Sequence, residues 1–363
     1  MIKNKSSLKL LKELTELNGI SGFENDVREY IKNELKDICT SITTDNLGSL
    51  ICELKTDETK PLIMFTAHMD EVGFLVNSIL DNGMIRLKPV GGWWSHVLLA
   101  QEMVVTNHKH QEFIGVIGAE PPHGLTREQK NQVLPIDTLY LDMGVSSKQN
   151  ILDLGINIGD QITPLTKFRV LNDHKTLLGK AFDNRLSIAI IIDLFKTIKK
   201  LDISANVIFV ASTQEEIGCR GAKTSTYLVE PDIGFAIDVT ESYDTPGAEN
   251  NPSRLGTGPA LALMDGASIS HRGLFDLVEE VAKRKSIPYT YDLCVFGGTD
   301  SSEIHKTKMG IINMTLSIPC RYFHSHTSLV HKDDFDNTKK LLLNLIKVID
   351  NDKLQMLKES KYL

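Results

Sequence analysis

Residues 62–73 read Leu-Ile-Met-Phe-Thr-Ala-His-Met-Asp-Glu-Val-Gly. The run from Leu62 to Ala67 has no polar alternation, which is how a strand reads when both of its faces are covered, as in the central parallel sheet of an α/β domain. It stops on His68 and Asp70, whose side chains point the same way from an extended chain. Open α/β sheets build their sites at the carboxyl ends of strands, so this one stretch indicates both a fold class and a place to look for chemistry.

Upstream, Leu8 to Leu17 and Glu24 to Leu35 read as two helices, separated by Asn18-Gly-Ile-Ser-Gly22, a loop with turn glycines and a serine suited to an N-cap. Leu47 to Leu54 reads as a strand. Downstream, from Gly73 to about Asn172, the pattern breaks into short strand-like pieces punctuated by glycine and proline, with hardly any helical period. That is the signature of a small all-β module, barrel or sandwich, inserted into an α/β domain. The α/β pattern resumes at Leu178, with a helix over Asn184 to Lys199 and strands at Val207 to Ala211, Ile233 to Ile237, Ala260 to Met264, Tyr289 to Leu293 and Ile311 to Ile318. The expected division is therefore 1–72 and 173–363 for a discontinuous α/β domain, and 73–172 for the insert.

The length of 363 residues suits one large and one smaller domain, and 41% apolar with 24% charged residues is the balance of a soluble globular protein. The net charge of -7 comes with dispersed Lys and Arg, which excludes a phosphate-binding stripe and with it nucleic acid as a partner. Five scattered cysteines (Cys39, Cys52, Cys219, Cys294, Cys320) form no C-x-x-C pair and read as reduced thiols. No segment is apolar enough to span a bilayer, and the N-terminus lacks the form of a secretory signal, so a cytoplasmic protein without membrane partners is expected.

Four further clusters of potential ligands share the placement of His68 and Asp70. Asp183 begins the Asn184 helix, Glu215 and Glu216 follow Val207 to Ala211, Asp238 follows Ile233 to Ile237, and Arg321-Tyr-Phe-His324-Ser-His326 follows Ile311 to Ile318. Each has an ordinary reading by itself: a solvated H-x-D pair, an N-cap aspartate, an exposed acidic turn. Five clusters, each at a strand end or at the helix start beside one, argue for a common site. Adjacent carboxylates at the end of an apolar strand lose hydration and repel, a cost that a cation relieves.

Three carboxylates (Asp183, Glu216, Asp238) and two neutral imidazoles leave two divalent ions with one positive charge in excess, which a bridging hydroxide would cancel. Imidazole and carboxylate without thiolate suit zinc, cobalt or manganese. Glu215, outside that count, is placed to act as general base, and Asp70 to accept the second imidazole N–H of His68.

His68-x-Asp70-Glu-Val-Gly73, Gly179-Lys-Ala-Phe-Asp183-Asn-Arg185, Gln214-Glu-Glu-Ile-Gly218 with Arg220-Gly-Ala222, Asp238-Val-Thr240 and Arg321-Tyr-x-His324-Ser325 together resemble the tetrahedral aminopeptidases, which include glutamyl and deblocking aminopeptidases. The resemblance implies a phosphopeptidase-like three-layer α/β catalytic domain with an inserted small β-barrel that mediates dimerisation, and hollow tetrahedral dodecamers built from dimers. It implies that peptides are the substrates and lose residues from their N-termini. It makes His68 and Asp238 ligands of one ion, Glu216 and His324 ligands of the other, Asp183 the bridge, Glu215 the base and Asp70 the orienting group. His326 competes with His324, but the motif spacing favours His324. Gly118-Ala-Glu-Pro-Pro-His123-Gly resembles the family's loop near the substrate pocket, which implies that His123 faces a neighbouring site.

Other readings are a related co-catalytic zinc deacylase or carboxypeptidase, which would carry a different insert; a carbohydrate hydrolase, which needs two carboxylates flanking an oxocarbenium centre; and a non-catalytic assembly protein, at odds with an intact Glu215.

Overall fold

The computed structural model describes residues 7–55, 57–248, 251–293 and 297–360. Cys294 and the first six residues lie outside the described residues.

Four parallel strands form the centre of an 11-stranded sheet, side by side in the order Asn206–Ser212, Leu62–His68, Ile233–Glu241 and Ile312–Arg321. The double-sided burial expected of Leu62 to Ala67 is present. Ile63, Phe65 and Ala67 enter one apolar cluster, with Leu186, Ile190 and Leu194 of the helix Phe182–Ile198. Met64 enters a second, with Ile208, Val210 and Ile304 on the opposite face. Helices thus cover both faces, giving three layers. Burying each such aliphatic side chain contributes roughly 1.5–3 kcal/mol, so the central strands are held far more firmly than the loops that leave them.

The chain crosses from the sheet into a closed barrel directly after the His68 strand. Its six strands, in barrel order, are Gly73–Ile79, Ile85–Val90, Tyr140–Asp142, Glu112–Gly118, Glu102–Thr106 and Gln161–Pro164. Alternate residues (Phe74, Val76, Ile85, Leu87, Met103, Val105) fill its interior. Gly73 is required at the junction: a Cβ there would lie 2.4 Å from Ile20 Cγ2 and 2.5 Å from the carbonyl oxygen of Ile162. The barrel's last strand ends at Pro164, and Arg169–Val170 already pairs with Thr176–Gly179 in the large sheet. The segment also contains a six-residue helix, Lys148–Asp153, capped by Ser147. It is too short to display a period in sequence.

Two local expectations change. Ser21 caps no helix: the second helix, Asn25–Leu35, has Glu24 at its N-cap position without a side-chain bond, and the Ser21 hydroxyl donates instead to Asp70 (2.6 Å). Asp183 and Asn184 depart from helical geometry within Phe182–Ile198, so Asp183 is not an N-cap either. Among the described residues no helix is long and apolar enough to cross a membrane.

Candidate metal centre

Because the four central strands are parallel, their carboxyl ends share one edge of the sheet. His68 closes its strand beside Ser212 of the next, and Asp238 lies on the neighbouring strand, opposite Ser317. The loops leaving Ser212 and Arg321 bring Glu215, Glu216 and His324 to the same place, and the irregular opening of the Phe182–Ile198 helix brings Asp183.

Two donor groups result, His68 with Asp183 and Asp238, and Asp183 with Glu216 and His324; within each, the donor atoms lie within 4.8 Å of one another. Asp183 belongs to both. Its Oδ1 is 2.9 Å from His68 Nε2, and its Oδ2 is 3.3 Å from His324 Nε2. Glu216 Oε2 lies 3.4 Å from His324 Nε2, and Asp238 Oδ1 lies 3.7 Å from His68 Nε2. Glu215 stands at the margin, its Oε2 3.9 Å from His68 Nε2.

All seven expected residues, Asp70 included, are therefore gathered at one site, but Asp70 makes different bonds from those expected. The Nδ1 of His68 donates to the backbone carbonyl of Asp70 (3.0 Å), and the Asp70 carboxylate is farther away, at 3.5 Å. That carboxylate accepts the backbone N–H groups of Glu215 (3.0 Å) and Glu216 (3.1 Å) and the Ser21 hydroxyl. Asp70 thus orients His68 through its main chain and holds the Glu215–Glu216 segment with its side chain. Ser21 went unrecognised because its role depends on the path of a loop. His326 takes no part in either donor group; it lines a separate cavity with Glu102, Glu112, Lys167 and Arg169.

The electrostatics of the cluster call for positive charge. Burial pushes Glu216 up to about 8, helped by Asp183 and opposed by His324. Burial also raises Glu215 well above the usual carboxylate range, with Asp238, Glu216 and Asp300 adding to it and His68 opposing. Burial alone would lower both imidazoles, yet Glu216 and Asp183 hold His324 up at about 9, and the carboxylates of Asp183, Asp238 and Asp70 around it raise His68. Glu216 Oε1 is buried without a hydrogen-bond partner among the described residues. Such a partnerless buried oxygen is costly unless a cation meets it. The donor set and this orphaned oxygen fit divalent metal ions.

The M42 glutamyl aminopeptidase family matches residues 48–341, from the strand before His68 to beyond His324. The chain belongs to that family. Relatives match almost the whole chain. The lysyl aminopeptidase of Pyrococcus furiosus is 33% identical over 94% of this chain and 98% of its own, and the glutamyl aminopeptidase of Lactococcus lactis is 32% identical over 96% and 98%. The TET1 peptidase of Pyrococcus horikoshii, which can assemble into a tetrahedron or a large octahedral shell, superimposes with a TM-score of 0.85 at 33% identity, over 95% of this chain and all of that one. M42 membership makes the protein a metal-dependent aminopeptidase, a hydrolase of peptide bonds. The family match favours peptide hydrolysis over the carbohydrate-hydrolase and non-catalytic readings, and a closed barrel after the first ligand strand goes against the deacylase and carboxypeptidase reading.

Proposed function

We propose that the protein releases single residues from the N-termini of peptides at a two-ion centre, in which His68 and Asp238 hold one ion, Glu216 and His324 the other, and Asp183 bridges them. The supporting observation is the Asp183 carboxylate, which presents one oxygen toward each histidine. Two divalent ions of the zinc, cobalt or manganese type, when bound, supply Lewis acidity to the scissile carbonyl and acidify the attacking water.

Glu215 accepts the proton from that water and returns it to the leaving amine. Its burial raises its proton affinity, which suits a group that must hold a proton between the two transfers. Asp70 holds Glu215 and Glu216 through consecutive N–H groups, so base and ligand keep a fixed separation. Glu24 accepts the N–H of Gln214 (3.1 Å) and anchors the same loop from the other side.

We also propose a homo-oligomer built from barrel-mediated dimers, a tetrahedral dodecamer in its complete form, located in the cytoplasm. The similarity to the P. horikoshii peptidase, which can assemble into a tetrahedron, supports the oligomeric part of this reading. Ile114 and Val116, 59% and 41% exposed on the outer face of a barrel strand, are a surface suited to a partner. His123, exposed on the turn Pro122–Gly124, is then a residue offered to a neighbouring subunit.

The deciding experiment is Glu215→Gln. Cleavage of aminoacyl chromogenic substrates should fall by about 10²- to 10⁴-fold while two ions per chain are retained. Full activity in that variant would remove Glu215 from the role of base, and fewer than two ions in the parent would remove the two-ion centre.

A further inference from the structure

Glu215 is two-faced. Its Oε2 looks toward His68, whereas Oε1 accepts a hydrogen bond from the Cys219 thiol at 3.2 Å. Cys219 is 7% exposed and sits at the start of the helix Arg220–Val229, in left-handed backbone geometry that turns the chain back after Glu216. On this second side lies Asp300, 2% exposed, entering from the loop before the short helix Ser301–Ile304. Donor atoms of Glu215, Cys219 and Asp300 lie within 4.8 Å of one another, a third group beside the two that share Asp183. Asp300 Oδ2 accepts the Ser212 hydroxyl (2.6 Å), whereas Asp300 Oδ1 is buried with no hydrogen-bond partner among the described residues. The Thr66 hydroxyl faces the Asp300 carboxylate and is itself buried with no closer partner among the described residues, and Ser302 lies beside the thiol. The proposed mechanism uses neither Cys219 nor Asp300.

A thiol and two carboxylates around an unsatisfied buried oxygen are a donor set for a borderline-soft ion, since zinc and cobalt accept sulfur and oxygen together. We propose that Glu215, Cys219 and Asp300 form a third, inhibitory cation site that takes a thiophilic divalent ion such as zinc or cobalt on the side of Glu215 facing away from His68. Binding there converts the Cys219 thiol to a thiolate, with its proton released to solvent, and engages the carboxylate that would otherwise move protons during peptide cleavage. Metal in excess of that needed for activity then slows the enzyme. The inhibitory consequence rests on Glu215 being the base; the site itself does not.

The test is a titration of the metal-stripped full chain with cobalt, following bound metal per chain, near-ultraviolet absorption and cleavage of a chromogenic aminoacyl substrate. The parent should bind a third equivalent, develop a sulfur-to-cobalt charge-transfer band as it does so, and lose about 10²-fold in cleavage if the base is fully engaged. Cys219→Ser keeps a hydroxyl donor for Glu215 but removes the sulfur. It should cleave normally at two equivalents and show neither the band nor the inhibition. Saturation of the parent at two equivalents without a band, or inhibition of Cys219→Ser at the same cobalt concentration as the parent, would overturn the site. A band with cleavage undiminished would support the site and count against Glu215 as the base.

Discussion

Asp70 is the residue on which the centre's geometry turns, because its carboxylate accepts two consecutive N–H groups and a hydroxyl while its carbonyl fixes His68. Asp70→Asn keeps the carbonyl and the shape but loses the charge and one acceptor. Loss of such an outer partner commonly costs about 10- to 100-fold in activity or metal affinity, so kcat/KM measured at saturating metal should fall within that range. Ser21→Ala, which removes one neutral donor, should cost less. The protonation of the cluster gives a second prediction. In the metal-free protein Glu216 is raised from 4.5 to about 8 and His324 from 6.5 to about 9. Both shifts are upward, so the stability these protons contribute is complete below the ordinary values and is lost as pH rises through about 8 and about 9. Metal binding displaces the same protons. Calorimetric titration at pH 7 in buffers of different ionisation heat should therefore show protons released on metal loading, and affinity should tighten as pH rises toward about 9. Loading without proton release would contradict this charge state.

At the scale of elements, the site depends on how the N-terminal helix and its following loop are tied to the end of the His68 strand. Arg185, fully buried, donates to the carbonyls of Met69 (2.5 Å), Leu14 (3.0 Å) and Gly19 (3.2 Å), and Lys180 pairs with buried Glu71 at 2.5 Å beside it. Arg185→Met fills similar volume but strips those carbonyls of their donor and removes the guanidinium that lies 4.0 Å from Glu71, leaving Lys180 as its close cation. Removing one member of a buried charged network costs about 3–5 kcal/mol, to be read as a lower midpoint in chemical denaturation of the metal-free protein. A midpoint within error of the parent would mean that the helix is held by apolar packing alone. This network also marks the limit of what the sequence discloses. The strand ends could be read because apolar runs stop abruptly on His68 and Asp238, and parallel pairing guarantees that such stops share an edge. Arg185 stood inside a recognisable motif, yet nothing in its spacing says that it reaches carbonyls at positions 14, 19 and 69. Asp300 was unreadable for a related reason: it follows Gly297-Gly-Thr rather than a strand, and only the folded loop brings it to Cys219 and Glu215.

For the molecule as a whole, the barrel and the sheet meet at a junction with little room to bend. Gly73 and Ile20 are in close approach there, and the Trp93 indole donates to the Gly73 carbonyl at 3.0 Å. A barrel held at a fixed angle to the metal edge can serve as a docking element, because its outer face then determines where a second subunit sits relative to the site. Along Glu112–Gly118 the outward positions include Ile114 and Val116, whereas Ile117 and its alternates face the closed interior. A charge placed outward should therefore spare the barrel and affect only association. Ile114→Lys is expected to leave the circular dichroism spectrum and denaturation midpoint near those of the parent, since surface changes usually stay within about 0.5 kcal/mol. Light scattering should show the mass falling from an assembly of many 40.5 kDa chains toward a smaller species. An unchanged mass would move the dimer contact off this strand. A fall in mass together with loss of the fold would show instead that Ile114 supports the barrel itself, and Val116→Lys, on the same outward face, separates those two outcomes.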